Sequence, residues 1–106
     1  MALIPMEYDQ GFSSKTTLSN FNTNGQTWVA PSDGILIFGT TASLPSGITN
    51  GYVYILEGSN YIGAVSCPSG TGGLAQISCC PIRKGQTYTI YVGGWTTAGT
   101  WFFSFR

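Results

Sequence analysis

Residues 34–41 read Gly-Ile-Leu-Ile-Phe-Gly-Thr-Thr. Alternate side chains of a strand point to opposite faces. Leu36 and Phe38 therefore share one face of this segment, and Ile35 and Ile37 share the other. Both faces are apolar, whereas a strand with one face in water alternates apolar and polar residues. Residues 51–57, Gly-Tyr-Val-Tyr-Ile-Leu-Glu, repeat the pattern: Val53 and Ile55 oppose Tyr52, Tyr54 and Leu56. Near the C-terminus Trp101, Phe103 and Phe105 oppose Phe102. The β-branched and aromatic residues that dominate these runs suit a pleated surface, and no segment carries the periodicity of an amphipathic helix.

Gly, Pro, Asn and Ser cluster between the apolar runs roughly every 8–12 residues, the spacing of an all-β sandwich or barrel. The pattern predicts strands over residues 27–30, 34–41, 51–57, 61–67, 74–82, 86–92 and 100–105. Gly39 marks a bulge or a close backbone approach, and Gly58-Ser59-Asn60 reads as a hairpin connection. In Ala30-Pro31-Ser32-Asp33-Gly34, Pro31 presets its own φ and Gly34 is expected to supply a positive φ after a type I turn. Arg83-Lys84-Gly85-Gln86 repeats that logic, with Gly85 in the left-handed position. A short strand near residues 1–8 is followed by a loop or extended polar chain over 11–25, anchored by Leu18 and Phe21. The chain thus divides into an N-terminal arm or attachment segment, residues 1–26, and a sandwich domain, residues 27–106.

The 106 residues and 11.3 kDa allow a single core. Only 8% of residues are charged, four cationic and four anionic. Nucleic-acid binding needs clustered cations, so it is not expected. Solubility must come from uncharged polar groups: Ser and Thr together number 24. A surface of zero net charge is poorly protected against association. No apolar run reaches the roughly 20 residues of a membrane span. The start, MALIPMEYDQG, has neither the cationic nor the long apolar region of a signal peptide. If the second faces of the strands lay in water, the apolar patch would exceed what monomers usually tolerate. Covering a further ~500 Å² per subunit would contribute about 12 kcal/mol before association costs. A stable oligomer is the expected outcome.

Trp28-Val29-Ala30-Pro31-Ser32-Asp33-Gly34, the apolar run 35–38, Arg83-Lys84-Gly85-Gln86-Thr87-Tyr88 and the closing aromatic run 101–105 occur in that order. In order and spacing this set resembles the small jelly-roll domains at the ends of bacteriophage fibres and on virion surfaces. Those are similar in architecture to the C1q and tumour-necrosis-factor trimers. The resemblance covers residues 27–106 and lacks the long fibrous stem of such proteins. It implies an all-β, jelly-roll-like antiparallel sandwich assembled as a homotrimer, with sheets packed around a threefold axis. It further implies a virion component assembled in the host cytoplasm, either a head fibre or decoration or a tail-fibre tip. Its partners would be capsid or tail proteins of the virion, with residues 1–26 as the attachment, and its target a host cell-surface glycan. The alternatives are a free carbohydrate-binding module or lectin and, disfavoured by the lack of a secretion signal, a soluble C1q-like ligand.

The residues offer little for catalysis. With no His, the commonest general base and metal ligand is missing. Glu7 and Asp9 share a strand face and could suggest a glycosidase pair or a Ca²⁺ site, but they lie near a chain end. Asp33 belongs to a turn and Glu57 ends a strand. Serines lack a G-x-S-x-G elbow, and the stretch 70–73 lacks the Lys of a P-loop. Cys67, Cys79 and Cys80 fall one short of a usual zinc set. Cys79 and Cys80 should point to opposite faces, one of them as a small buried hydrophobe. No enzymatic activity, metal or cofactor is expected. For binding, fibre tips recognise glycans through loop aromatics. Trp95, in the polar loop 93–99, is the first candidate, and Tyr61 and Asn60 at the hairpin are the second. The competing role for Trp95 is to fold back over the core or to pack between subunits. Trp28 and Trp101 are read as core or trimer contacts, and Arg83 and Lys84 as a solvated basic turn.

Overall fold

The computed structural model describes residues 12–40, 48, 50–67 and 76–106. They form eight strands: β1 (Phe12–Thr17), β2 (Thr27–Val29), β3 (Gly34–Thr40), β4 (Gly51–Glu57), β5 (Asn60–Cys67), β6 (Gln76–Ile82), β7 (Thr87–Gly93) and β8 (Gly99–Phe105). No helix occurs among the described residues. The strands make two four-stranded sheets, one in the order β1-β8-β3-β6 and the other β2-β7-β4-β5. Every neighbouring pair is antiparallel. Strands that follow one another in the chain alternate between the sheets, except β4 and β5, which pair directly. Each crossing turns one face of the next strand inward, which is why each apolar run carries a core side.

The core lies between the sheets. Leu36, Phe38, Cys80, Ile82 and Phe102 project from the first sheet, and Val53, Ile55, Val65, Tyr88, Ile90 and Val92 from the second. Leu36, Phe38, Val53, Ile55, Tyr88 and Ile90 are fully enclosed. Trp28 belongs to this interior. Its ring lies 5.0 Å from that of Phe102, edge to face, and 5.7 Å and 5.9 Å from those of Phe21 and Tyr88.

Of the arm expected over residues 1–26, residues 1–11 lie outside the described residues, and residues 12–26 belong to the sandwich. β1 pairs with β8 from Phe12↔Phe105 to Thr17↔Trp101, with a register shift after Phe12. Leu18 and Phe21 are core residues. Thr100 donates its hydroxyl hydrogen bonds to the carbonyls of Leu18 (3.1 Å) and Phe21 (2.8 Å). The polar chain beyond is tied down as well. The Gln26 side-chain oxygen accepts from the amides of Asn22 and Thr23, and Asn24 accepts from the amide of Val92. The sandwich therefore takes in residues from Phe12 onward. Phe-Ser-Ser-Lys-Thr-Thr reads as loop or extended polar chain because only Phe12 is apolar; the structure makes it an extended edge strand, with Leu18 and Phe21 as the expected anchors. The strand expected near residues 1–8 lies outside the described residues, as do residues 74–75 of the sixth expected strand.

Three turns show how local chemistry sets the path. Gly58 (φ 62°) is the first central residue of the two-residue β4–β5 hairpin, where a type II′ turn places its glycine. Gly85 (φ 83°) takes the expected left-handed position and donates its N–H to Ala30 O at 2.9 Å. Gly34 departs from expectation: its φ is not positive, and it is the first residue of β3. Glycine is needed there because a Cβ would lie 2.1 Å from the carbonyl oxygen of Phe103 and 2.8 Å from the Phe102 ring. Asp33 helps the turn differently, its carboxylate accepting from the Lys84 amide at 2.8 Å.

Candidate functional site

The two outward faces of the sandwich differ in chemistry. On the first sheet, the outward positions of β3 are Ile35 and Ile37, aligned with Phe103 and Trp101 of β8 and with Pro81 and Cys79 of β6. Phe12 extends the row, its ring 5.6 Å from those of both Phe103 and Phe105. Ile77 at one end and Phe105 at the other are 57% and 45% exposed. Lys15 and Thr17, both on edge strand β1, are the polar outward residues aligned with this face. Gly99 makes room for the Trp101 ring, since a Cβ there would meet it at 2.4 Å. Three strands, β8, β3 and β6, at about 4.8 Å spacing and six residues at about 3.4 Å rise give a face near 300 Å² in projection, within which Phe103 is nearly buried. Apolar patches of a few hundred Å² are often functional surfaces.

The second sheet carries tyrosines instead. Tyr52 and Tyr54 of β4 point outward, with Tyr91 of β7 directly beside Tyr54. The Tyr52 and Tyr54 rings stack at 4.6 Å and 17°, and Tyr61 of β5 meets Tyr54 edge to face at 5.6 Å. Leu56 lies buried in the same row, between Thr89 and Tyr61.

Of the three residues expected to bind ligand, the structure brings only Asn60 and Tyr61 to the surface together. Tyr61 is 66% exposed. Trp95 is 8% exposed and joins the core cluster with Ala98, so of its two expected roles the structure shows the one that folds back over the core, and the ligand-contact role is corrected. The loop is drawn inward where the Ala98 amide donates to Asn22 O at 2.7 Å. A ring enclosed in this way offers no open face for a sugar to stack on. Tyr52, Tyr54 and Tyr91 had not been singled out as binding residues. Their i, i+2 spacing and the alignment of β4 with β7 are the signal that could have found them.

The polar groups are engaged in holding the fold. Glu57, at the end of β4, accepts hydrogen bonds from the Arg83 guanidinium and from the Tyr88 hydroxyl (2.7 Å). The Tyr88 oxygen in turn accepts from the Arg83 amide at 2.7 Å. The Arg83 and Tyr88 hydrogen bonds hold the Glu57 carboxyl below the ordinary carboxylate range, and Glu57 in turn raises Arg83. Burial pushes the Tyr88 phenol up. Arg83 is thus an ion-pair partner rather than a merely solvated turn residue. Cys79 is exposed and Cys80 buried, on opposite faces as the alternation required. Burial, with a smaller contribution from neighbouring Cys79, pushes the Cys80 thiol up to about 12, so it remains a neutral thiol. Among the described residues no three His, Cys, Asp or Glu side chains come together. Glu7 and Asp9 lie outside the described residues.

No protein-family model, curated protein or solved structure matches the chain. Function has to be argued from the two faces themselves.

Proposed function

We propose that this protein is a non-enzymatic structural subunit of a bacteriophage virion, a head fibre or decoration or a tail-fibre tip. In this reading the sandwich is a jelly roll that assembles as a homotrimer. The strand orders β1-β8-β3-β6 and β2-β7-β4-β5 support the jelly roll, an eight-stranded double sheet of antiparallel strands. The threefold number and the virion setting rest on the resemblance of the ordered motifs between Trp28 and Phe105 to phage fibre-tip domains.

One observation carries the proposal. Among the described residues, the outer face of the first sheet presents Ile35, Ile37, Trp101 and Cys79 in adjacent rows around a nearly buried Phe103, and its aligned charge, Lys15, is confined to the edge strand. Covering about 300 Å² of it would contribute about 7 kcal/mol per subunit before association costs. A second copy of the chain supplies a surface of the same kind without a further gene product.

Attachment to the particle cannot use the whole of residues 1–26, because Phe12 to Thr17 pair with β8 and Leu18 and Phe21 fill the core. Attachment at this end of the domain would use chain that precedes Phe12. The test is immunogold labelling of purified particles of the encoding phage, with the isolated chain's mass measured alongside. Labelled particles and an oligomeric chain support the proposal. Unlabelled particles or a monomeric chain overturn it.

A further inference from the structure

We propose that the outer face of the second sheet, centred on Tyr54, binds a neutral, polyhydroxylated ligand: a sugar chain free of acidic groups. This rests on the reading that the first sheet's outer face is the one covered by other subunits, leaving the tyrosine face outward.

Tyr54 sits at the middle of the arrangement. Tyr52 stacks on one side of it, Tyr61 meets it edge-on, and Tyr91 is its neighbour on β7. The backbone is fitted to hold these rings. Tyr52 faces Gly93 across the β4–β7 pair, and a Cβ at Gly93 would lie 2.1 Å from the Tyr52 ring. Only glycine lets that ring lie down over the strand. A surface needed merely for solubility has no use for such a fit.

The chemistry of the face selects the ligand class. Of the outward positions around the tyrosines, Thr27, Thr87 and Thr89 lie on one side and Ser66 and Ala64 on the other; the apolar ones are Leu56, which is buried, and Val29, exposed at the far end of β2. None of the outward strand residues is charged. An acidic glycan, a phosphate or a charged peptide finds no counter-ion there. A purely aliphatic partner would strip water from the phenol and threonine hydroxyls without replacing their hydrogen bonds. A neutral sugar has both required parts: C–H faces that lie against aromatic rings, and hydroxyl edges that exchange hydrogen bonds with phenols and threonines. The first sheet's outer face has no tyrosine, and of its aligned residues only Thr17 carries a hydroxyl.

The experiment applies the full chain to an array of immobilised neutral and acidic oligosaccharides, with Tyr61→Ala and Tyr91→Ala beside it. The mass of each protein is read by light scattering. The expected result is retention on neutral members, weakened about tenfold or more in each variant. It should change little between about 0.05 and 0.5 M salt, because no ion pair is involved. Both variants should keep the wild-type mass. No retention on any neutral member, or retention on acidic members alone, overturns the site. A fall in mass in either variant also overturns it, assigning the tyrosines to subunit contact. Tyrosine-dependent retention by a monomer upholds the site and removes only the oligomer on which its outward placement was argued.

Discussion

Replacing Trp95 by alanine should unfold part of the stability of this sandwich while removing no ligand contact. The side chain is 8% exposed and belongs to the same cluster as Phe21, Phe38 and Ile90. Truncating a buried Trp to Ala costs about 3–5 kcal/mol, from lost transfer energy and the cavity left behind. A domain of this length holds roughly 5–15 kcal/mol in total. The variant should therefore lose about a fifth or more of its stability. In thermal melts at matched protein concentration this is a drop of roughly 12–30 °C. Urea titration followed by far-ultraviolet circular dichroism gives the more direct number, as a lowered midpoint with an unchanged slope. Trp95→Phe, which keeps a ring in place, should cost less. A Trp95→Ala loss under about 1 kcal/mol, the range of solvent-exposed substitutions, would mean the ring is not part of the interior.

Four other substitutions test separate parts of the account. Ile37→Lys places a charge at the centre of the first sheet's outer face, between Trp101 and Cys79. It removes about 1.5–3 kcal/mol of apolar burial per copy and adds an unpaired charge, so sedimentation should find a folded monomer. An unchanged mass would place the subunit contact elsewhere. Gly39→Ala forces a Cβ to within 2.0 Å of the Gln76 carbonyl oxygen at φ 152°, and should strip β6 from the sheet. Gly25→Ala, with nothing within 4 Å, should lose only the ~1–2 kcal/mol of a left-handed residue. Hydrogen exchange along β6 separates the two, and equal protection in both variants would count against the close approach. Glu57 has a folded pKa below its unfolded value, so the unfolded chain takes up its proton first. The stabilisation is complete above the ordinary value of 4.5 that the unfolded chain keeps, and is lost as pH falls from there through the lower folded value. Urea midpoints between neutral pH and about pH 3 should therefore fall more steeply for the wild type than for Glu57→Gln. Parallel slopes would show that the carboxyl is not engaged.

The strands from β2 to β8 were legible because short runs rich in β-branched and aromatic residues are set off by Gly, Pro, Asn and Ser clusters, with Leu36, Phe38, Val53, Ile55, Ile90 and Phe102 on the inward faces. Turn chemistry marked Gly58 and Gly85, whose left-handed φ no other residue type takes as readily. β1 was hidden because an edge strand needs no apolar run. Its Ser13, Ser14, Thr16 and Thr17 contribute mostly backbone pairing with β8. Gly34 was read for its own dihedral, whereas its reason lies on β8, some seventy residues away. Trp95 was left between a ligand-facing and a core-capping role for a related cause. A polar loop says nothing of whether the chain end beyond it, here Ala98 bound to Asn22, draws the ring inward. The tyrosine face could be read only once β4, β5 and β7 were aligned, because Tyr61 and Tyr91 reach Tyr54 across strands.

The most direct measurement is the mass of the isolated chain by light scattering coupled to size-exclusion chromatography, with no ligand added. A greasy first sheet shared by three copies predicts about 34 kDa, three times the 11.3 kDa of one chain. A peak at 11.3 kDa across the accessible concentration range would leave Ile37 and Trp101 in open water, and would contradict the account at its base.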